Sequence, residues 1–328
     1  MSAIRSSSKT VLFLVQVLLI TGIWGCQEDT YELGFAGPEL IINGVLVAGE
    51  SPRISVGKTW PATGQIPEKP YVEDAQVELL EGGQPVGMLT YLSNGTYGLS
   101  SYKIEAGKTY TVRVQGLGMQ AQSRPVRVPL PFPLQHSYMD YQAKVTSLND
   151  WAKPHLLRVG IKDYQEPGNY YGVAVTPFIK GELKFTNVSN IEVSNSGLNN
   201  REDDCFTRAG FWNGEFIAIP NSGITSTMIL YNDACFAKQE KEFGIVIETL
   251  VAYGAEDLVN NTIDELRLQM AVLSPEYVAY AKTQYKPEGP DNAFIEPKRT
   301  YTNIEGGHGV VAAMNLVRKS VQVRLPPL

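Results

Sequence analysis

From Glu39 to Val128 the chain breaks into short apolar or alternating runs, each closed by a turn signal. Leu40-Ile41-Ile42-Asn43-Gly44-Val45-Leu46-Val47 opens the series and Arg53 to Val56 follows. A Pro- and Gly-rich stretch from Pro61 to Pro70 predicts an exposed loop. Ala75-Gln76-Val77-Glu78-Leu79-Leu80 alternates small or apolar with polar side chains, the period of a half-buried strand. Gly82-Gly83 suits a hairpin turn, and Met88 to Leu92 makes the return strand. Asn94-Gly95 turns into Thr96-Tyr97, and Ala106-Gly107-Lys108 turns into Thr109 to Val114. Strands at this spacing predict an immunoglobulin-like β-sandwich over residues 39–128.

Pro125, Pro129, Pro131 and Pro133 then mark a stiff junction, placed at 129–133. A second β-rich, sandwich-like domain is expected over 134–328. Leu156 to Ile161 and Tyr170 to Val175 are expected to pair antiparallel across Pro167-Gly168-Asn169. Ser189 to Asp204 is polar and Asn-rich and predicts a long loop. Phe243 to Val251 and Glu265 to Leu273 are strand candidates, the latter with Leu266, Leu268 and Met270 on one face. One helix is predicted over 275–286: Ser274 is a good N-cap, Pro275 fits the first helical position, and Pro287 ends it. Tyr277, Ala281, Gln284 and Tyr285 recur at helical spacing, a pattern for core packing. Gly306-Gly307-His308-Gly309 lacks the spacing of a phosphate loop and predicts close backbone approach before the last strands. The fold class is mainly β, with one short helix.

The first 25 residues have a different pattern. Arg5 and Lys9 precede an apolar run from Val11 to Ile23, and Gly25-Cys26 follows. That order suits a lipoprotein signal peptide over 1–25, cleaved before a lipidated Cys26, with 26–38 as a tether. The run is short of the ~20 residues that span a bilayer and is interrupted by Gln16 and Thr21. Cleavage removes Arg5 and Lys9 from the 28 basic residues, leaving 26 against 34 acidic ones, a net charge of −8. No basic stripe remains, which argues against a nucleic-acid partner.

Candidate chemistry is sparse. With Cys26 committed to lipid, Cys205 and Cys235 form an even pair in an oxidising compartment, and a disulfide is expected, with two buried thiols as the alternative. The three histidines, His136, His155 and His308, are widely separated and form no zinc motif. No Gly-x-Ser-x-Gly elbow is present, and His136-Ser137 with Asp140 reads as a strand edge. The acidic groups Asp163 with Glu166, Asp203-Asp204 and Asp264-Glu265 read as solvated loop charges. No catalytic residue, metal or cofactor is expected. Aromatic residues crowd the interval around the two cysteines: Phe206, Phe211, Trp212, Phe216, Tyr231 and Phe236. Phe211, Trp212 and Tyr231, together with Trp60, are the candidate contacts for a ligand or partner. A satellite core is the alternative reading.

The Cys26 signal, Ile42-Asn43-Gly44-Val45-Leu46, Ala75-Gln76-Val77-Glu78-Leu79, Gly95-Thr96-Tyr97 and Gly107-Lys108-Thr109-Tyr110 occur in a distinctive order. Leu273-Ser274-Pro275-Glu276-Tyr277 and Asn303-Ile304-Glu305-Gly306-Gly307-His308-Gly309-Val310 complete it. In this the chain resembles the Bacteroidota outer-membrane lipoproteins catalogued as domain of unknown function 4249. The first domain also looks like the small sandwiches of carboxypeptidase regulatory-like modules, a likeness of fold without peptidase chemistry. The resemblance implies an outer-membrane, cell-surface lipoprotein that works beside a TonB-dependent transporter, and it brings no catalytic residues. A structural adhesin or envelope-assembly component is the alternative, and an extracellular hydrolase a third.

Overall fold

The computed structural model describes residues 35–61, 67–142, 155–163, 168–183, 191–194, 229–233, 236–247, 262–284 and 300–324. Pro38–Thr59 and Pro67–Leu328 make one compact unit, which holds every described strand and the helix; Met1–Gly37 and Trp60–Ile66 make another. The chain is mainly β, as its alternating pattern requires.

The first region contributes β1 (Leu40–Val47), β2 (Arg53–Lys58), β3 (Gln76–Glu81), β4 (Gln84–Ser93), β5 (Thr96–Gly98), β6 (Thr109–Gly116), β7 (Met119–Ser123) and β8 (Val126–Arg127). The second contributes β9 (Leu134–Asp140), β10 (His155–Lys162), β11 (Tyr170–Ile179), β12 (Glu182–Leu183), β13 (Ile191–Ser194), β14 (Ile229–Asn232), β15 (Glu240–Ile247) and β16 (Glu265–Leu273). Helix α1 (Pro275–Gln284), β17 (Ile304–Glu305) and the long β18 (His308–Gln322) complete the order. Two-residue turns at Gly82-Gly83, Asn94-Gly95, Leu117-Gly118 and Lys180-Gly181 have positive φ at both positions. This is the conformation whose twist matches flanking strands.

Most strands join one large sheet in the order β12-β11-β16-β18-β1-β2-β5-β4-β3-β6-β7-β17, and β13-β15-β10-β9 forms a smaller one. The large sheet folds over on itself, because β4 pairs with β3 through Gln84–Leu89 and with β5 through Thr90–Ser93. Leu40, Ile42, Ile54, Val77, Leu79, Tyr97, Tyr110 and Val112 fill the sandwich so formed. A second core lies between β9, β10 and β15 on one side and β11, β16 and the end of β18 on the other. Leu157, Val159 and Ile245 there meet Tyr171, Val173, Leu268, Met270 and Val321.

Strand β18 serves both cores. Its first half runs parallel to β1, from Ile41↔His308 to Val47↔Met314, and its second half runs antiparallel to β16, from Leu273↔Met314 to Glu265↔Gln322. Val311 and Ala313 face the first core and Val321 the second. The opposite face of β18, with Val310, Ala312 and Met314, packs under α1 through Tyr277 and Val278. Ile304, Val311 and Ala313 thus complete a core whose other residues lie between 40 and 128.

Among the described residues, no strand pairs with the first half of β18 on the side away from β1, and side chains take its place. Asn303 is buried; its Nδ2 donates to Val311 O at 2.8 Å and its Oδ1 accepts from Val311 N at 3.0 Å. Ser274 continues the ladder: its N–H donates to Ala313 O at 2.9 Å and its Oγ accepts from Ala313 N at 3.1 Å. The same Oγ accepts from Tyr277 N at 3.4 Å, the N-cap role expected of it. Beyond Met314, β16 takes over.

The glycine segment makes the close approach expected of it. Gly309 has φ +100°, and a Cβ there would lie 2.2 Å from Ile42 O and 2.7 Å from Asn43 Oδ1. Asn43 Oδ1 in turn accepts from Val310 N at 3.0 Å.

One expectation is overturned. Leu156 to Ile161 and Tyr170 to Val175 do not pair: β10 pairs with β9 and β15, and β11 with β12, β14 and β16. Their apolar faces meet across the second core instead of lying side by side. The expected helix is present over Pro275–Gln284, and residues 285 and 286, its expected end, lie outside the described residues.

Candidate functional site

Asp233, near the end of the aromatic interval in the sequence, anchors a polar site in the second region. Asp233 is 1% exposed, and its carboxylate accepts from Gly168 N at 2.8 Å, Asn169 N at 3.0 Å and Asn169 Nδ2 at 2.9 Å. Its carbonyl accepts from Phe236 N and Ala237 N, closing a tight turn. Phe236 is buried against the Tyr171 ring at 5.8 Å, and Phe132 meets the same ring edge-on at 5.4 Å. Burial, then the charges of Asp163 and Asp233, push the Tyr171 phenol above its ordinary pKa. Asp163 is itself 1% exposed, so the expectation of a solvated loop charge is wrong there. It ends β10 and turns inward, with its N–H donating to Gln239 O. Asp264, from another of the acidic groups, accepts from Lys180 N at 2.8 Å, and Glu265 pairs with Arg267 and Ser320. Their hydrogen bonds are those of turns and sheet faces.

Two further clusters have similar roles. Glu81 takes hydrogen bonds from Tyr102 and, at 3.4 Å, from Tyr110, and pairs with Lys108 at 3.0 Å. The hydrogen bond from Tyr102, then the one from Lys108, holds its carboxyl below the usual range. Tyr97 plays the equivalent part beside β3, donating to Val72 O at 2.8 Å and accepting from Ala75 N at 2.9 Å. On the outer face of the small sheet, Arg158 bridges Asp140 at 3.1 Å and Glu242 at 3.3 Å, and His136 lies 2.9 Å from Glu242. The His136 ring lies directly over Gly160, where a Cβ would come within 2.1 Å of it. His136, Ser137 and Asp140 all lie on β9, an edge strand, as the sequence suggests. A shallow groove on the outside of β3 and β6 is floored by Leu80 and Thr111 and rimmed by Arg113. That guanidinium is already held by Glu78 at 2.9 Å and Gln122 at 3.2 Å.

Of the residues singled out by sequence, Trp60 is 38% exposed. The Tyr231 backbone lies on β14 opposite Tyr171, and its side chain lies outside what is described. Cys26, Cys205, Cys235, Phe211 and Trp212 lie outside the described residues. Phe236, one of the aromatics crowded around the two cysteines, belongs to the core. Asp233 and Asn303 were not legible as anchors; Asn232-Asp233 is a turn-forming pair, but nothing local names Gly168 and Asn169 as its targets. Among the described residues, no group of three or more His, Cys, Asp or Glu side chains is placed to hold a metal ion. No described helix is long and apolar enough to cross a membrane.

These features define a β protein of two sandwich cores laid along one shared strand, with its polar clusters serving as clamps. The family described as Domain of unknown function (DUF4249) matches residues 28–320, and the chain belongs to it. A comparison with curated protein sequences finds no match. Among solved structures, the chain is similar to a point mutant of Salmonella alpha-2-macroglobulin at 12% identity, covering 90% of this chain and 16% of that one with a TM-score of 0.23. It is similar to Escherichia coli alpha-2-macroglobulin activated by porcine elastase at 10% identity, with 88% and 20% covered and a TM-score of 0.23. A Corynebacterium diphtheriae protein described as membrane-anchored shows 11% identity, 73% and 55% coverage and a TM-score of 0.20. The chain therefore spans a fifth or less of the two macroglobulins and about half of the third protein.

Proposed function

We propose that this protein is a lipoprotein of the bacterial outer membrane, held at the cell surface by lipid on Cys26. There it binds a ligand or partner protein and assists a TonB-dependent transporter without catalysing a reaction of its own. The observation that carries this reading is the placement of Cys26. It follows a basic start, an apolar run and Gly25, and it precedes the first described strand, which begins at Leu40. The intervening residues can extend to at most about 45 Å, so the lipid would keep the folded unit close to the membrane surface.

The binding role is supported by how the described polar groups are used. Asp233, Glu81, Asn303 and Ser274 are engaged in holding turns, loops and a strand edge. Trp60, Phe211, Trp212 and Tyr231 remain the candidate contacts, with a Cys205–Cys235 disulfide bracing the interval that holds the last three. Affinity capture from detergent-solubilised outer membranes tests the transporter link. A β-barrel transporter should be recovered with the wild-type chain and reduced with Trp60→Ala and Trp212→Ala. Recovery of the chain with no β-barrel partner would contradict it.

A further inference from the structure

Strand β18 contributes to every core of the protein: Val311 and Ala313 to the first, Val321 to the second, and Val310, Ala312 and Met314 to the layer under α1. It follows all other described elements in the chain. Seven residues of β1, Ile41–Val47, pair with it, and Val45, Leu46 and Val47 have no other strand partner among the described residues. All nine residues of β16 pair with it as well. Just ahead of it, β17 pairs with β7, and Asn303 O accepts from Arg124 N at 2.8 Å, so the same segment also holds the end of the first sandwich region. Without this segment β1 and β16 would each present an open ladder edge along a largely buried strand, where unpaired backbone groups are costly. The strand that satisfies β1 arrives late, because the partner of Ile41 lies 267 positions further along the chain. At roughly 5–20 residues per second of synthesis, β1 waits about 15–50 s for it.

We propose that β18 closes both sandwiches in one late, cooperative step, so that neither region folds stably until residues 303–322 are present. The two ladders meet at Met314, which pairs with Val47 on one side and with Leu273 on the other. Docking one half of the strand therefore places the other. Pairing of such distant segments is slow to form, because the chain between them must be ordered before the contact stabilises anything. On the reading of an exported lipoprotein, on which this consequence alone rests, the delay keeps the chain in the extended form that a membrane channel passes.

Pulse-labelling hydrogen exchange during refolding from urea tests the proposal on the full chain carrying Cys26→Ala, which reports folding without lipid. Amides of β3, β6, β10 and β16 should gain protection with the same time constant as those of β18. Protection of β3 and β6, or of β10 and β16, at least about tenfold sooner than β18 overturns the proposal, because that region would then fold as a unit of its own. At equilibrium, Val321→Ala truncates a side chain of the second core, and it should speed exchange on the order of tenfold in β3 and β6 as well as in β10 and β16. Acceleration confined to β10 and β16 overturns the proposal. Should that variant fail to fold, the refolding comparison decides alone, since it needs no substitution in the fold. Early folding of one region would leave lipid on Cys26 in place, and loss of the anchor would leave these rates unchanged, so the two failures are told apart.

Discussion

Replacing Asn303 by Ala probes the most economical device in the fold. The Asn303 carboxamide bonds the edge of β18 as a neighbouring strand would, giving one hydrogen bond to Val311 O and taking one from Val311 N. Val311 is fully buried, and β16 reaches β18 only from Met314 onward. In Asn303→Ala both backbone groups lose their partner inside the protein, at roughly 1–3 kcal/mol for each buried group left unsatisfied. The expected loss is therefore about 2–6 kcal/mol, a large share of the ~5–15 kcal/mol that holds a typical protein folded. At this chain length it corresponds to a fall in melting temperature on the order of 5–10 °C. Urea denaturation followed by circular dichroism should show a lower midpoint at unchanged slope. Asn315→Ala serves as the comparison: it removes one hydrogen bond, to Pro129 O at 3.1 Å, and should cost about 1 kcal/mol. Equal, small losses for the two variants would refute the view that Asn303 completes the strand edge.

Other perturbations act on neighbouring features. Gly309→Ala forces a Cβ to within 2.2 Å of Ile42 O at a φ that suits glycine, so β18 must shift from β1; a loss of at least about 2 kcal/mol is expected in the same assay. His155, half-buried against Tyr141, has its pKa lowered by burial. The unfolded chain therefore binds the proton more readily: stability should be level above about pH 6.5 and fall as pH drops from there towards the native value. His155→Gln should flatten that slope in urea midpoints taken between about pH 8 and pH 5, and an unchanged slope would assign it to other groups. Peptide mapping without reduction should recover Cys205 and Cys235 on one cross-linked fragment; two free thiols would remove the disulfide and the ~3–4 kcal/mol expected from closing that loop.

The strands of the first region were legible because their turns are chemically marked. Gly82-Gly83 and Asn94-Gly95 are favoured pairs for a two-residue hairpin, whereas Leu117-Gly118 and Lys180-Gly181 adopt the same conformation with only the glycine to show it. The alternation of Leu266, Leu268 and Met270 correctly named the core face of β16. Pairing across the second core was misread for a physical reason. Pro167-Gly168-Asn169 indicates that the chain reverses there, but turn chemistry does not say whether the returning strand joins the same sheet or crosses to the facing one. In both cases the apolar faces border the same core. The parallel register of β1 with β18 joins residues 267 positions apart, Ile41 with His308, and has no local signature. The polar members of the family-like motifs have structural tasks: Asn43, Ser274 and Asn303 all bind β18, and Tyr97 and Tyr110 fasten loops beside β3. Asp163 was misjudged because an acid between a strand and a Pro-Gly loop looks solvated until the packing around Tyr171 is known.

The proposed role depends above all on attachment to the membrane through Cys26. Cell fractionation of wild type and Cys26→Ala, with the anchored peptide identified by mass spectrometry, tests that directly. The wild-type chain should partition with the outer membrane and carry a diacylglyceryl-type mass addition on an N-terminal Cys26, while Cys26→Ala should fold normally and leave the membrane fraction. Retention of the variant in the membrane, or an unmodified Cys26 in the wild type, would contradict the account.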